Sequence, residues 1–103
     1  AAILTGKGRV YTGCNVENAS FGLTVCAERI AIFKAVSEGE QSVVALAVVA
    51  EDEAAMCGAC RQVLSDFGPE AKVYLAEPGG TFRESSLPEL LPGAFSGNRL
   101  RKG

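Results

Sequence analysis

The sequence of 103 residues contains no histidine. This absence excludes the Ser-His and Cys-His catalytic pairs, because both need an imidazole as the base. It also limits the ligands of any zinc site to thiolates and carboxylates. Metal-dependent chemistry must therefore be sought among the four cysteines and the acidic residues.

Long apolar runs, basic surfaces and secretion signals are absent as well. The apolar run at residues 43–50 is too short to cross a membrane, which takes about 20 residues. The formal net charge is -2, and the one basic cluster, residues 99–102, is interpreted as a solvated tail. No signal peptide is visible. We therefore predict a cytoplasmic protein that acts on neither a membrane nor a nucleic acid polymer.

The residues that are present predict one globular domain over residues 1–103. Hydrophobic residues make up 48% and charged residues 21%, which excludes a disordered chain. No internal repeat or low-complexity segment divides the sequence. A domain of this size is often marginally stable alone, so oligomerisation or a bound metal would help it to fold.

The order of apolar and turn-forming segments predicts an α/β fold in which helices pack on the faces of a mixed sheet. Residues 43–50 are expected to form a central strand that is buried on both faces. A helix at residues 25–37 should be buried around most of its girth, and a second at 57–67 should end at a left-handed Gly68. The remaining predicted elements are a hairpin (1–5 and 9–13), strands at 72–76 and 81–84, and a helix at 86–91 capped by Ser86.

Both long helices are predicted to begin at cysteines, in Cys26-Ala27-Glu28 and in Cys57-Gly58-Ala59-Cys60. The positive end of a helix stabilises a thiolate, which is the form that binds metal. Since each helix follows a loop, both starts should face one edge of the sheet. Three thiolates there would leave a tetrahedral zinc with one open position, which is typical of a catalytic site.

Charged residues follow the ligand cysteines closely. On a helix, Glu28 points away from the ligand direction of Cys26, so it is free to pass protons to and from a zinc-activated water. Three thiolates and Zn²⁺ carry a net charge of −1. Arg61 directly follows Cys60, and Arg29 comes three positions after Cys26. We predict that both donate hydrogen bonds to ligand sulfurs and offset this charge. The alternative is that both are solvated surface arginines.

Three segments resemble the cytidine deaminase family. Residues 12–29 are TGCNVENASFGLTVCAER, residues 57–64 are CGACRQVL, and residues 90–95 are LLPGAF, which is similar to the family's C-terminus. Zinc deaminases combine a His or Cys, a nearby Glu and a distant Cys-x-x-Cys pair. The resemblance spans nearly the whole chain.

The resemblance implies a cytidine deaminase-like three-layer fold and a role in pyrimidine salvage. In the implied reaction a zinc hydroxide attacks C4 of cytidine or deoxycytidine and ammonia leaves. Zinc is held by Cys26, Cys57 and Cys60, and Glu28 is the proton shuttle.

The implied nucleoside contacts involve four further residues. Asn15 and Glu17 match the pair that binds the sugar 3′-hydroxyl, and the backbone at Ala27 matches a contact to the base carbonyl. Phe95 matches an aromatic residue that stacks on the base from a neighbouring subunit. The small three-cysteine members are homotetramers, so the resemblance also implies a homotetramer.

Two departures from the family pattern stand out. Met56 replaces the usual proline before the Cys-x-x-Cys pair, in a loop whose backbone, around Ala55 and Met56, helps to recognise the exocyclic amine. The family's N-terminal helix has no counterpart in these residues, and without it one face of the sheet should be uncovered.

Other interpretations remain open from the residues alone. Cys57 and Cys60 also suit a thioredoxin-like redox pair, although such a pair needs no third thiol beside a glutamate. Cys14 could complete a closed structural zinc site, but we expect it to be a buried core residue. Asn15 and Glu17 could be turn residues and Phe95 a core aromatic. An antibiotic nucleoside is the alternative substrate.

Overall fold

The computed structural model describes residues 1–51 and 55–93. The strands are β1 (Ala2–Thr5), β2 (Val10–Thr12), β3 (Val43–Val49), β4 (Lys72–Ala76) and β5 (Phe82–Ser86). The helices are α1 (Ala27–Ser37), α2 (Gly58–Phe67) and the short α3 (Leu87–Leu90), and a 3-10 turn spans Phe21–Leu23. Within the described ranges, no helix combines the length and the apolar character that crossing a membrane requires.

The direction of the strands places the starts of both long helices at one edge of the sheet. The strand order is β2-β1-β3-β4-β5, with β3 and β4 parallel and the other pairs antiparallel. Because β2 and β3 are both antiparallel to β1, they run in the same direction and end at the same edge. Helix α1 follows β2 and α2 follows β3, so the mixed sheet and the shared edge are as predicted.

The core lies between the helices and one face of the sheet. Ile3, Leu46 and Val73 are at most 1% exposed, and they come from three adjacent strands. The helices contribute Ala31, Ile32 and Ala35 from α1 and Cys60 and Leu64 from α2. One of the ligand cysteines is therefore itself part of the core.

The other face of the sheet corrects two sequence predictions. Val44 and Val49 of β3 are 45% and 57% exposed, so this strand is not buried on both faces. Val10 of β2 and Phe82 of β5 are exposed as well. Within the described residues the helices pack on one face of the sheet only. Helix α1 is likewise buried along one side rather than most of its girth, since Phe33 is 46% exposed.

The ends of the two long helices differ in their chemistry. Gly39, with a φ of 96°, closes α1 in a Schellman motif. Its N–H donates to the carbonyl oxygen of Val36, and the N–H of Glu40 donates to the carbonyl oxygen of Ala35. Gly68 ends α2 at a φ of -145°, so the predicted left-handed conformation is wrong. The glycine is needed there because a Cβ would clash with the carbonyl oxygen of Val43. Ser86 precedes α3, but its side chain makes no capping hydrogen bond.

Candidate active site

Two of the candidate ligands are the N-cap residues of the long helices. Cys26 caps α1 and Cys57 caps α2, each in an extended conformation, so both helices begin slightly later than the sequence predicted. The Cys57 sulfur accepts the N–H of Cys60 at 3.4 Å, which is the normal bond of an N-cap side chain. The positive ends of both helices therefore point at the thiols.

The three thiols have the spacing of ligands to one ion. The Cys57 sulfur lies 3.6 Å from that of Cys26 and 3.3 Å from that of Cys60, and all three lie within 4.8 Å of one another. Tetrahedral zinc with Zn–S bonds of about 2.3 Å separates its sulfurs by about 3.8 Å. The donor set therefore fits zinc, and small rotations of the side chains suffice to accommodate it.

Acidity differs between two of these thiols. Burial raises the pKa of Cys60 well above its usual range, and hydrogen bonding to Cys57 and the nearby charge of Glu28 raise it further. Burial alone would also raise the pKa of Cys57, but hydrogen bonds from the Cys60 backbone and from the neighbouring thiols lower it. A thiol that coordinates a metal is deprotonated outright, so an ion bound here would hold Cys60 as a thiolate.

Arg29 provides a half-buried positive charge beside the sulfurs. Its Nη2 lies 3.7 Å from the Cys26 sulfur, and hydrogen bonding to that thiol raises the pKa of the guanidinium. Among the described residues, its Nε is a buried side-chain nitrogen that has no hydrogen-bond partner. A cation with a buried, unused donor is stabilised once the thiols beside it become thiolates.

Glu28 lies in the first turn of α1 and is 5% exposed. Its charge contributes to the raised pKa of Cys60, so the carboxyl group is close to the thiol cluster. A carboxylate that is buried beside a metal site, without being one of the three clustered ligands, can accept and donate protons there.

A closed loop brings Asn15 and Glu17 to the start of α1. Val16 and Val25 pair through two backbone hydrogen bonds of 2.9 Å. Because Asn15 and Glu17 flank Val16 and Cys26 follows Val25, this bridge brings the two polar residues close to Cys26. The Asn15 amide donates to the Glu17 carboxylate at 3.4 Å, and both side chains are exposed. The bridge was not foreseen from the sequence, although two valines flanking a polar loop are compatible with it.

Gly13 is a further residue that sequence reasoning missed. A Cβ at this position would clash with the carbonyl oxygen of Ala27 and would lie 2.6 Å from the nitrogen of Ala31. The end of β2 therefore packs directly on the first turn of α1. Only glycine permits this approach, which fixes where Glu28 stands relative to the loop.

The structure places three other predicted residues differently or outside its range. Arg61 donates to the carbonyl oxygens of Met56 at 2.8 Å and Leu90 at 2.9 Å, so its observed hydrogen bonds go to backbone and not to a ligand sulfur. Cys14 is exposed rather than buried, and it is not part of the thiol cluster. Phe95 lies outside the described residues.

The geometry agrees with a known zinc-binding region. The zinc-binding region of cytidine and deoxycytidylate deaminases matches residues 1–76, which contain all three clustered cysteines and Glu28. The chain belongs to this deaminase family. The family predicted from the sequence is thereby confirmed, as is its three-cysteine type.

Individual deaminases are similar over nearly the whole chain. A cytidine deaminase from Halalkalibacterium halodurans is 54% identical over 99 residues, which cover 93% of this chain and 75% of that protein. A blasticidin-S deaminase from Bacillus cereus is 34% identical over 108 residues, which cover 95% of this chain and 76% of that protein. The crystal structure of a cytidine deaminase from Burkholderia pseudomallei matches with a TM-score of 0.85 at 46% identity, over 91% of this chain and 78% of that one. The deaminase fold is therefore confirmed.

Proposed function

We propose that the protein hydrolyses cytidine and deoxycytidine to uridine and deoxyuridine and releases ammonia. The observation that carries this proposal is the juxtaposition of three thiols within 4.8 Å of one another and the buried carboxyl group of Glu28. A set of three protein ligands leaves one coordination position for chemistry, whereas a structural zinc site uses four.

Zinc held by Cys26, Cys57 and Cys60 would supply Lewis acidity at the point where water must become a nucleophile near neutral pH. Glu28 takes a proton from this water as its oxygen adds to C4 of the base. The carboxyl group delivers this proton to the ring nitrogen. It then takes the second proton from the new C4 hydroxyl group and passes it to the amino group, so that the C4 carbonyl group forms, the C4–N bond breaks and ammonia leaves. Arg29 offsets the negative charge of the thiolates, so that the zinc would keep its Lewis acidity.

Substrate recognition is assigned to residues around the start of α1 and at the C-terminal end of the chain. Asn15 and Glu17 are proposed to bind the sugar 3′-hydroxyl; their mutual hydrogen bond orients both side chains at the mouth of the site. The backbone at Ala27, the first residue of α1, is proposed to contact the base carbonyl. Phe95 is proposed to stack on the base. We therefore expect Phe95→Ala to raise the Michaelis constant while the protein still folds normally.

A homotetramer in the cytoplasm is part of the same proposal. Phe21 and Leu23, in the loop that leads to Cys26, are 91% and 66% exposed. Large apolar side chains so exposed beside a site favour a contact with another subunit. Three reduced thiols next to one another also suit a reducing compartment.

The decisive experiment measures ammonia release and bound zinc on the same purified sample. Cytidine, deoxycytidine, deoxycytidylate and blasticidin S are compared as substrates. We expect turnover of the first two with about one zinc per chain. Preferential turnover of blasticidin S would replace the proposed substrate, and zinc without turnover of any of the four would contradict the proposed activity.

A further inference from the structure

Arg61 joins two segments that are distant in sequence. It stands in the first turn of α2, where its backbone N–H bonds to the carbonyl oxygen of Cys57 at 3.0 Å. Its Nε donates to the carbonyl oxygen of Met56 at 2.8 Å, and its Nη1 donates to that of Leu90 at 2.9 Å. Hydrogen bonds from a charged donor are stronger than those between neutral groups, so this fork is a firm connection.

One of the two carbonyl groups belongs to the segment that leads directly to the candidate site, and the other lies at the end of α3. Met56 immediately precedes the ligand Cys57, and its side chain is 2% exposed, so that the core anchors this end of the loop. Leu90 is the last residue of α3, and its carbonyl group has no partner further along that helix. Arg61 therefore supplies a donor at the point where the chain leaves α3.

Beyond Leu90 the chain turns sharply. Gly93 has a φ of 67°, in the left-handed region that favours glycine. Two positions later comes Phe95, the proposed aromatic contact to the base. The Arg61–Leu90 bond and the turn at Gly93 together fix the backbone of residues 90–93.

We propose that Arg61 is a positioning residue for substrate binding, which holds in place both the chain that leads to Cys57 and the turn that follows Leu90. The inference rests on the proposed function and deepens it. It also assigns Arg61 a role different from that of Arg29. The guanidinium of Arg29 lies against a sulfur, whereas that of Arg61 lies against two backbone carbonyl groups that neighbour the substrate-binding segments.

Two substitutions separate the geometry of Arg61 from its charge. Arg61→Gln removes the charge and the fork, whereas Arg61→Lys keeps the charge but cannot serve both carbonyl groups in the same way. We expect both variants to retain about one zinc per chain and to raise the Michaelis constant about tenfold, with kcat changed by less than about threefold. Arg9→Gln is the matched control, because it breaks an ion pair at the opposite end of α1 and should leave the Michaelis constant unchanged.

The opposite pattern would overturn the proposal. Loss of zinc or of kcat in Arg61→Gln, with recovery in Arg61→Lys, would show that Arg61 acts through its charge on the metal site. An unchanged Michaelis constant in both variants would remove Arg61 from substrate binding.

A double-mutant cycle tests the link to the C-terminal segment. If Arg61 acts through this segment, adding Arg61→Gln to Phe95→Ala raises the Michaelis constant by less than the product of the two single effects. If the Michaelis constant rises by the two single effects multiplied together, the two residues act independently, which would contradict the link.

Hydrogen exchange provides a readout that does not depend on activity. Amides at residues 55–57 and 90–93 should exchange faster in Arg61→Gln, while those at residues 35–40 should not change. Unchanged exchange at both segments would overturn the inference even in an active enzyme. If the wild-type protein deaminates none of the four substrates, the proposed function is contradicted. The hydrogen-exchange comparison then decides the role of Arg61 by itself.

Discussion

Helix α1 has a buried charged cluster at each end, and the two clusters differ in how completely their polar groups are satisfied. At the C-terminal end, the Glu40 side chain is 2% exposed and accepts hydrogen bonds from Arg9 Nη1 at 3.0 Å and Tyr11 Oη at 3.1 Å. At the N-terminal end, Arg29 retains an unpaired buried Nε beside two ligand cysteines. The first cluster is complete within the protein, whereas the second is completed by an ion.

The protonation of Glu40 reflects this completeness. Burial alone would raise the pKa of its carboxyl group, but hydrogen bonds from Thr5, Arg9 and Tyr11 outweigh burial and lower it below the ordinary value of 4.5. The Schellman motif at Gly39 directs the chain so that Glu40 reaches β2. The comparison teaches that a buried charge with all its partners holds the fold together, whereas a charged group with a buried, unused donor marks the site of chemistry.

The largest effect on this comparison is expected from Cys57→Ala. Cys57 is exposed and bonded to both other thiols, so its loss opens the ion site without leaving a cavity in the core. We expect bound zinc to fall well below one per chain and ammonia release to fall below detection. Metal analysis and the deamination assay measure both, and retained zinc with normal turnover would exclude Cys57 as a ligand.

Glu28→Gln should have the next largest effect. Removing the proton shuttle should lower kcat by about 10²- to 10⁴-fold, which is the scale of general acid–base catalysis. Zinc content should stay near one per chain, because the carboxyl group is not a ligand. An enzyme that remains fully active with Gln at this position would disprove the assigned mechanism.

Arg29→Gln should lower kcat by about tenfold with zinc still bound, because the thiolates then lack the cation that offsets their charge. Arg29→Lys, which restores a positive charge, should recover part of the rate. Equal rates in the wild type and in both variants would show that the buried charge has no effect on the reaction.

The smallest effect on activity is expected from Glu40→Gln, which changes stability instead. Since the folded-state pKa of Glu40 is lowered, its stabilisation is present above the ordinary value of 4.5 and is lost as the pH falls through the lower folded-state pKa. The wild type should therefore unfold at a higher temperature than the variant at pH 7, and the difference should shrink below about pH 4.5. Thermal unfolding over this pH range tests the prediction. A constant difference would show that the charge of Glu40 does not contribute.

The sequence predicted the elements and the ligand cysteines well, because both depend on local patterns. Cysteines at two helix starts and the alternation of strands and helices require no knowledge of long-range contacts. Glu40 was not identified, since a glutamate after a helix resembles a solvated residue until the hairpin is folded against it. The bonds of Arg61 were missed for the same reason: its partner at Leu90 lies 29 residues away in the chain. Gly68 was assigned the wrong role because its close contact with Val43 depends on the packing of α2 against β3.

The two N-cap cysteines also have a consequence for the folding of this small domain. Cys26 and Cys57 are 31 residues apart in sequence, so an ion that binds both closes a long loop in the manner of a disulfide. In the loop-entropy description a covalent link of this length removes about 3–4 kcal/mol of conformational freedom from the unfolded chain. The same ion that supplies the chemistry thus acts as a cross-link that lowers the entropy of the unfolded state. Removal of the metal by a chelator should accordingly loosen the edge of the sheet where α1 and α2 begin.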